Sequence, residues 1–387
     1  MKTIKMNQAA EKKIQQGIQL LDVEDLASVQ LENEVVELLS ETGTSLGMAY
    51  LSRENKGGGW LISEKVRPLD QAFFIQLFQR ARQKRSRYEE SGHTTAYRLF
   101  NQDGDFFGGL TIDRYGDYAL FTWYNPFVYQ LRQRIADAFF HVYPDVKGAY
   151  EKIRFQGVDY ESGHLRGEEA PDQFLILENG VSYQVFLNDG LMTGIFLDQH
   201  ETRGRLVDGL AAGKSVLNLF SYTAAFSVAA SIGGATSTTS VDLAKRSKEL
   251  SMAHFVANGL PLDPHRFVVM DVFDYYRYAK RHGLSYDLII LDPPSFARNK
   301  KRRFSVAKDF HILVAEAADL LNPEGILIAS TNAANLPIHK FRKQIEKGLQ
   351  GHAFQVLESD RLPADFSINS NDERSNYLKV ITIKVNK

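Results

Sequence analysis

The sequence predicts an α/β protein whose C-terminal part is a Rossmann-like, doubly wound sheet of seven strands, preceded by a small α+β domain and an N-terminal β-barrel. Two observations carry this prediction. From about residue 205 onward, short apolar runs alternate with stretches of helical periodicity, the order expected of parallel strands joined by helices. Several of these runs also lack polar alternation, which is typical of strands buried on both faces. We expect three domains, over 1–72, 73–175 and 176–387.

The first domain is predicted from one weak amphipathic helix and several short β-type runs. The helix covers 9–21, and the clearest runs lie at 45–52 and 59–63, with a glycine turn at 57–59. A helix combined with short strands suits a small barrel.

The second domain begins with a helix over 69–88 that carries phenylalanines on one face. Its basic end, 80–87, has two interpretations: a solvated helix end, or a patch that contacts phosphate. Further β-type runs and one helix follow, at 97–100, 110–113, 118–124, 129–142 (the helix) and 147–155. We expect 157–172 to be a loop and 174–186 a hairpin with an Asn-Gly turn.

The third domain alternates strands and helices regularly. The predicted strands lie at 216–220, 235–241, 267–270, 286–291 and 325–330, and the helices between and after them at 224–232, 243–257, 275–280, 306–321 and 339–348. Strands over 354–358 and 377–385 would close the sheet with an antiparallel edge.

Composition narrows the functional classes. The 387 residues carry a formal net charge of -1, so nucleic-acid affinity would have to come from local basic patches. The chain has no cysteine, which excludes disulfides, thiolate metal sites and a cysteine nucleophile. We expect no metal cofactor. No apolar run reaches membrane-spanning length, and the N-terminus has no apolar signal region, so we expect a cytoplasmic protein without a membrane partner.

Acidic residues at the predicted strand ends indicate a nucleoside site. Asp242 follows the second strand and is placed to hold a ribose, while Asp271, Val272 and Phe273 suit an adenine. The turn at 221–223 lacks the glycine pattern of pyrophosphate sites, so a nucleoside without phosphates, such as S-adenosylmethionine (SAM), fits better than NAD or ATP. The alternative is an ordinary βαβ unit in which Asp242 caps the next helix.

A reaction site is predicted beyond the strand at 286–291. The rigid turn Asp292-Pro-Pro-Ser-Phe296 can hold Asp292 and Phe296 against a flat base. A basic run follows directly, and it consists of Arg298, Lys300, Lys301, Arg302 and Arg303. We favour phosphate binding by these cations over a merely solvated charge run. The loop that delivers Asp198 and Gln199 either covers the ligand or supports a helix N-terminus.

Five segments together resemble a known family: 217–223, 241–242, 292–296, 193–199 and 110–115. The resemblance is to class I SAM-dependent methyltransferases of 23S ribosomal RNA with an N-terminal PUA domain. Relatives that make 5-methylcytosine are the nearest, and relatives that make 7-methylguanine share the core. It implies SAM as cofactor, S-adenosylhomocysteine as product, and 23S rRNA or a large-subunit precursor as partner. The implied cofactor residues are Gln199, Asn218, Phe220, Ser221, Tyr222, Thr223, Asp242, Leu243, Asp271, Val272, Phe273 and Asp292.

Two departures from the family matter. Ala224 stands where a glycine is usual, and Ser330-Thr331-Asn332 stands where the cytosine-C5 enzymes have their catalytic cysteine. A threonine hydroxyl is barely ionised at neutral pH, so addition of a thiolate to the base is excluded. Direct methyl transfer is what remains. We prefer a guanine or adenine nitrogen as the acceptor, and we expect Asp292, Phe296 and Asn332 to be the catalytic residues.

Two other functions stay open from sequence alone. One is an RNA-binding or assembly protein that keeps the cofactor pocket but has lost catalysis. The other is a methyltransferase for a small molecule, which the basic segments 80–87 and 298–303 disfavour. The oligomeric state is open as well, with a homodimer among the alternatives.

Overall fold

The computed structural model describes residues 1–26, 29–30, 32–53, 57–298 and 303–386, and at 297, 298 and 303 it describes the main chain alone. The chain forms two compact units. The first contains Met1–Ile176, Val185–Thr193 and Ala364–Ser375, and the second contains Leu177–Gln184, Gly194–Pro363 and Asn376–Lys387.

The first unit begins with a five-stranded sheet. Its elements are β1 (Lys2–Lys5), α1 (Gln8–Gln15), β2 (Leu20–Leu21), β3 (Glu34–Leu39), β4 (Ser45–Leu51) and β5 (Gly59–Ser63). Helix α1 begins where the Asn7 side chain accepts a hydrogen bond from the Ala10 amide. The strand order is β1-β3-β4-β5-β2. Because β1 and β2 remain as edges within the described residues, the sheet is open where the sequence predicted a barrel.

A second five-stranded sheet follows in the same unit. Its elements are α2 (Gln71–Lys84), α3 (Ser86–Glu89), β6 (Ala96–Asn101), β7 (Leu110–Tyr115), β8 (Tyr118–Trp123), α4 (Pro126–Gln130), α5 (Arg132–Val142), β9 (Gly148–Ile153) and β10 (Ser162–Gly167). The order is β10-β9-β8-β7-β6. The phenylalanine face of α2 is buried as predicted, and the Phe78 ring contacts Phe100 and Phe139 edge to face. Strand β10 corrects the predicted loop at 157–172: it is polar, and main-chain pairing with β9 stabilises it.

Two cations at the basic end of α2, Lys84 and Arg85, bind a carboxylate of the fold, while Arg80 and Arg87 are exposed as a solvated helix end would be; contact with phosphate stays a prediction. The Arg85 side chain is 0% exposed and binds the Asp105 carboxylate at 2.6 and 3.0 Å. Lys84 donates to the same carboxylate at 2.9 Å. These two cations and Asp105 therefore form one ion cluster. The sequence did not predict it, because Asp105 lies too far along the chain for local spacing to indicate the pairing.

A hairpin follows, and its residues Leu177–Gln184 belong to the second unit. It consists of β11 (Phe174–Glu178) and β12 (Val181–Val185). The turn residues Asn179 and Gly180 both have left-handed φ, 53° and 77°, as the Asn-Gly pair predicted.

The second unit is built on the predicted seven-stranded sheet. Its elements are α6 (His200–Arg205), β13 (Ser215–Leu219), α7 (Ala225–Ile232), β14 (Ser237–Asp242), α8 (Lys245–Ala257), β15 (Arg266–Val269), α9 (Val272–Arg281), β16 (Tyr286–Leu291), β17 (Phe296–Arg298), β18 (Arg303–Ser305), α10 (Val306–Leu320), β19 (Leu321–Thr331), α11 (Ile338–Gly348), β20 (Ala353–Asp360) and β21 (Lys379–Asn386). The order is β15-β14-β13-β16-β19-β21-β20. Only β21 runs antiparallel to its neighbours, so the reversed strand lies one place in from the edge.

The core of this sheet explains the apolar runs in the sequence. Leu217, Leu219, Ile289 and Leu291 are fully buried on the central strands β13 and β16. Helices cover both faces of the sheet, so the side chains on both faces of these strands are mostly apolar. Among the described residues, none of the helices has both the length and the apolar character needed to cross a bilayer.

Candidate cofactor and catalytic site

The topology brings the predicted acids to one edge of the sheet. Strands β14, β13, β16 and β19 are neighbours and run parallel, so their carboxyl ends meet there. Asp242 ends β14, Asp292 follows β16, and Thr331 ends β19. This edge is where ligands bind in open parallel sheets.

The loop after β13 has an unusual backbone. Phe220, Tyr222 and Ala224 all have left-handed φ, at 58°, 49° and 59°. Such positions cost about 1–3 kcal/mol each and are typical of binding loops. The loop is held by hydrogen bonds from the Ser221 amide to the Val241 carbonyl at 3.0 Å and from the Tyr222 amide to Asp242 at 2.9 Å. Ala224 is the position where the resemblance predicts glycine, and its left-handed φ gives a physical reason for that expectation.

Asp242 lies under that loop and has two functions in the fold. One oxygen accepts the Tyr222 amide, and the other accepts the Ala244 amide at 2.8 Å and the Ser247 hydroxyl at 3.1 Å. Asp242 therefore ties the loop to the start of α8, whose N-cap residue is Ala244. The carboxylate has about four acceptor positions, so these bonds do not use all of it. The adjacent Leu243 side chain is 60% exposed, so an apolar surface lies beside the acid.

The predicted adenine segment starts α9. Asp271 caps this helix and accepts from the Phe273 amide at 3.0 Å and the Asp274 amide at 3.3 Å. Val272 is buried, while Phe273 is partly exposed at the sheet edge. Of this segment, the phenyl ring is the more accessible to a ligand.

Asn218 is one of the most deeply buried of the predicted cofactor residues. Its amide donates to the Ser227 hydroxyl at 3.0 Å, and Ser227 bonds Ser240 at 2.8 Å. This buried chain ties β13, α7 and β14 together. A contact of Asn218 with the cofactor stays a prediction.

A second loop, 194–199, joins the first one. The Gly194 amide donates to the Tyr222 hydroxyl at 3.0 Å, and the Thr223 hydroxyl donates to the Gly194 carbonyl at 2.7 Å. At the end of this loop, the Gln199 amide nitrogen donates to the Ser330 hydroxyl at 2.6 Å. The loop thus runs from the strained turn to the end of β19.

The oxygen of the Gln199 side-chain amide could accept a hydrogen bond from a ligand. Its Oε1 is buried and has no hydrogen-bond partner among the described residues. A buried acceptor without a donor costs about 1–3 kcal/mol. SAM carries an ammonium group, and nucleobases carry amines, so either can supply the missing donor. This orphaned oxygen is the feature of the site that best matches a bound SAM and its acceptor.

Asp292 has the most perturbed carboxyl of the site. Burial and the nearby Asp198 raise its pKa to about 6, although hydrogen bonds from Ser330 and Gln199 and the charge of Arg203 favour the ionised form. Because perturbed acids in clefts mark reaction sites, Asp292 is the best candidate for the residue that faces the reacting group.

The raised pKa predicts a pH dependence. At pH below about 6 the Asp292 carboxyl is protonated and no longer accepts hydrogen bonds as an anion. We therefore expect the reaction at this site to slow as pH falls through about 6 and to level off above pH 7. Single-turnover rates between pH 5 and 8.5 measure this. A profile without an inflection in that range would contradict the role of the carboxylate.

The other predicted catalytic residues differ in their accessibility. Phe296 is 62% exposed, and Asn332 is exposed and accepts a hydrogen bond from the Ser295 hydroxyl at 2.8 Å. Both can meet a base. Thr331 is buried, and its hydroxyl accepts from the Ala333 amide at 3.2 Å. It is therefore not presented as a nucleophile in place of cysteine.

The basic run after Phe296 is described only in part. Lys300, Lys301 and Arg302 lie outside the described residues, and for Arg298 and Arg303 the main chain alone is described. Strand β17 ends at Arg298, the first cation of the run, and β18 begins at Arg303, the last one. The two strands pair antiparallel.

Sequence reasoning missed a buried ion pair that supports the site. Arg203 and Glu178, which are 2% and 0% exposed, bind through two hydrogen bonds of 2.6 and 2.7 Å. Arg203 also donates to the Phe196 carbonyl at 2.7 Å and so fixes loop 194–199. His254 was missed as well: its ring nitrogens face the carbonyls of Thr223 and Gln184, each at 3.0 Å. The partners are distant in sequence, so no local pattern in the sequence indicated these contacts.

Comparisons with known proteins agree with this geometry. A family model described as S-adenosylmethionine-dependent methyltransferase matches residues 152–361, more than half of the chain, and a model described as PUA-like domain matches residues 4–64. YwbD of Bacillus subtilis (strain 168), a candidate ribosomal RNA large subunit methyltransferase, is 41% identical over 99% of this chain and 100% of its own length. Ribosomal RNA large subunit methyltransferase I of Yersinia pestis bv. Antiqua (strain Angola) is 30% identical over 94% of this chain and 93% of its own.

One similar structure contains the product of SAM. The crystal structure of SMU.776, a candidate methyltransferase complexed with S-adenosylhomocysteine (SAH), matches with a TM-score of 0.96 and 59% identity over 99% of this chain and 100% of that chain. The chain therefore belongs to the family of S-adenosylmethionine-dependent methyltransferases, with a PUA-like domain in its N-terminal part.

Proposed function

We propose that this methyltransferase modifies a base nitrogen of large-subunit ribosomal RNA by direct transfer from SAM. The observation that carries the proposal is a pair of acceptors beside the carboxyl ends of β16 and β19: the orphaned Oε1 of Gln199, whose amide nitrogen bonds Ser330, and the Asp292 carboxyl with its raised pKa. The names of YwbD and of the Yersinia pestis enzyme support large-subunit rRNA as the substrate.

The cofactor site is proposed to form around the loop after β13. SAM supplies a methyl group on a positively charged sulfur, which a nitrogen lone pair can attack directly. Asp242 would accept from the ribose, Phe273 would contact the adenine, and Gln199 would accept from a donor of the cofactor or the base. The remaining predicted contacts to the cofactor are Asn218, Phe220, Ser221, Tyr222, Thr223, Leu243, Asp271 and Val272.

A nitrogen acceptor follows from the absence of cysteine. Carbon 5 of cytosine needs a thiolate adduct before it can attack a methyl group, and the chain has none to offer. N7 of guanine already has a free lone pair. An exocyclic amine becomes nucleophilic when its proton is drawn toward an acceptor, and Asp292 would be that acceptor. Phe296 and Asn332 would hold the base in line, and alignment is the larger part of catalysis for a pre-activated donor.

The RNA is proposed to reach the site as a splayed nucleotide, since a stacked base cannot enter a strand-end pocket. We assign the phosphate contacts to Arg298, Lys300, Lys301, Arg302 and Arg303, and further RNA recognition to the PUA-like region 1–72 and the region 73–175, with 176–387 as the catalytic domain. With ribosomal RNA as substrate, the enzyme would act in the cytoplasm. The homodimer stays a prediction.

The substitution Asp242→Ala is expected to weaken SAM binding by about 10- to 100-fold. It removes a charged acceptor from the ribose and releases the Tyr222 amide, and hydrogen bonds to charged groups contribute about 1.5–3 kcal/mol. Isothermal titration calorimetry measures the change. Asp319→Ala, a surface acid on α10 that pairs with Lys280, is the matched control and should bind SAM normally. Unchanged affinity of Asp242→Ala would refute the assigned site.

The proposed function is tested by comparing the modified nucleosides of 23S rRNA from cells with and without this protein. We expect one methylated purine to disappear on deletion and to return when the wild-type chain is supplied. Identical methylation in both strains would refute the proposal.

A further inference from the structure

An exposed aromatic side chain lies on the first unit, outside the cofactor site. Phe106 follows a short 3₁₀ turn, Gln102–Asp105, and is 52% exposed. Its backbone is left-handed, with a φ of 67°, which is uncommon for a bulky residue. The next residue, Phe107, is 0% exposed and contacts the rings of Tyr50 and Phe74 in the core. The chain therefore buries one phenylalanine here and presents the other to solvent.

The turn that carries Phe106 is fixed from below. Asp105 is 3% exposed, and its carboxylate binds the buried Arg85 at 2.6 and 3.0 Å. Gly104 lies so close to the main chain of Ser367 that a Cβ there would be 1.9 Å from the Ser367 carbonyl oxygen. A ring on a turn held in this way loses little conformational freedom when a ligand stacks on it, and such preorganisation favours binding.

Two cations of α2 lie beside the Phe106 ring. The Arg80 guanidinium carbon is 6.0 Å from the ring centroid, and the Lys84 Nζ is 5.4 Å from it. The two residues are one helical turn apart on α2, so their side chains approach the ring from the helix side. About half of the residue stays exposed, which leaves part of the ring free to contact another flat group.

The surface around the ring presents positive charge. The two acids of the turn, Asp103 and Asp105, are buried at 6% and 3% exposure. Asp105 is shared between Lys84 and Arg85, so one carboxylate faces two cations. Arg80 is exposed, and among the residues that the structure describes it forms no salt bridge with a carboxylate; its Nε donates to a carbonyl of its own helix at 3.3 Å. The Arg80 guanidinium is therefore available to an anion.

An accessible aromatic ring beside a free cation matches an unpaired nucleotide. Bases of single-stranded RNA stack on aromatic side chains, while cations along the same surface bind the backbone phosphates. A base inside a duplex has its faces covered by its neighbours and cannot stack on a protein ring. Stacking needs only the π-face that every base has, so such a surface binds single strands with little base preference.

We propose that Phe106 is a stacking platform for an unpaired nucleotide of the RNA substrate, with Arg80 binding a phosphate of the same strand. The inference rests on the proposed function, since it locates a contact for the same RNA. It gives the basic end of α2 a role in RNA binding through the cation that the fold does not pair. The platform holds RNA and takes no part in methyl transfer.

The test measures binding of a fluorescently labelled single-stranded oligoadenylate to the full chain by anisotropy, at several salt concentrations. Phe106→Leu removes the aromatic face, Phe106→Tyr keeps it, and Arg80→Gln removes the proposed phosphate contact. Phe354→Leu is the matched control, because Phe354 is a 38% exposed phenylalanine on β20 and no arginine or lysine of the described residues lies over its ring. SAM affinity, measured by calorimetry, reports whether each variant keeps its fold.

We expect Phe106→Leu to weaken oligoadenylate binding by about 5- to 100-fold, the range for loss of one base–aromatic stack, with the salt dependence unchanged. Phe106→Tyr and Phe354→Leu should match the wild type. Arg80→Gln should weaken binding and lower the slope of log affinity against log salt by about 0.7, the value for one phosphate of a single strand. SAM affinity should be the same in all of these proteins.

Three results would overturn the inference: wild-type oligoadenylate affinity in Phe106→Leu, an equal loss in Phe354→Leu, or a loss in Phe106→Tyr as large as in Phe106→Leu. Loss of SAM affinity in Phe106→Leu would do so too, because it would assign the ring to the fold. Failure of the wild type to methylate rRNA, with the binding differences present, would instead overturn the proposed function, so the two failures are distinguishable.

Discussion

Asp292→Asn is expected to lower kcat by about 10²- to 10⁴-fold, the range for removal of a positioned acid–base group. The amide keeps the size of the side chain but loses the anionic acceptor at the end of β16. Binding of SAM should change little, because the proposed cofactor contacts depend mainly on Asp242 and the loop after β13. Single-turnover methyl transfer and calorimetry on the same preparation separate the two effects.

The stability of this variant provides an internal check. The fold raises the pKa of Asp292 to about 6, so above that pH the folded state disfavours the ionised form relative to the unfolded chain. Removing the charge should therefore leave stability at pH 7.5 equal or higher, while activity collapses. Asp263→Asn, an exposed acid before β15, should change neither. A variant that loses activity and stability together would assign Asp292 to the fold rather than to the reaction.

Glu178→Gln is expected to destabilise the protein by about 3–5 kcal/mol, because it leaves the Arg203 guanidinium buried without its counter-ion. Arg203 also fixes the Phe196 carbonyl, so SAM affinity should fall in the folded fraction as loop 194–199 loosens. Chemical unfolding and calorimetry measure the two changes.

Two controls define the cause of that loss. The double change Glu178→Leu with Arg203→Met removes both charges and should recover most of the stability, since apolar replacement of a buried pair is often neutral. Asp117→Asn breaks the exposed pair with Lys147 and should cost less than about 1 kcal/mol. Equal effects of Glu178→Gln and Asp117→Asn would contradict the structural role of the buried pair.

The catalytic half of the fold was predictable because its signals are local. Buried strands such as β13 and β16 appear as apolar runs, and their order along the chain implies a doubly wound sheet. Asp242, Asp271 and Asp292 could be placed at one edge because parallel strands share the direction of their carboxyl ends. The hairpin turn was likewise predictable from the two residues Asn179 and Gly180 alone.

What escaped prediction depends on partners that are distant in sequence. Arg85 was expected at the surface, but it is buried with Asp105 as its counter-ion. Nothing in the sequence around Arg203 indicated that Glu178 is its partner. Strand β10 has little apolar content, so its pairing with β9 is visible only in the fold. Asp242 bonds the Ala244 amide and the Ser247 hydroxyl, and Thr331 makes an inward hydrogen bond; both depend on geometry that composition does not encode.

The most direct measurement is methyl transfer in vitro. Purified protein and SAM with an isotopically labelled methyl group are incubated with 23S rRNA from a strain that lacks this protein, and the labelled nucleoside is identified by mass spectrometry. We predict a label on a nitrogen of guanosine or adenosine, introduced once per rRNA molecule. Label on carbon 5 of cytidine, or none in the RNA while SAM is bound normally, would contradict direct transfer to a base nitrogen.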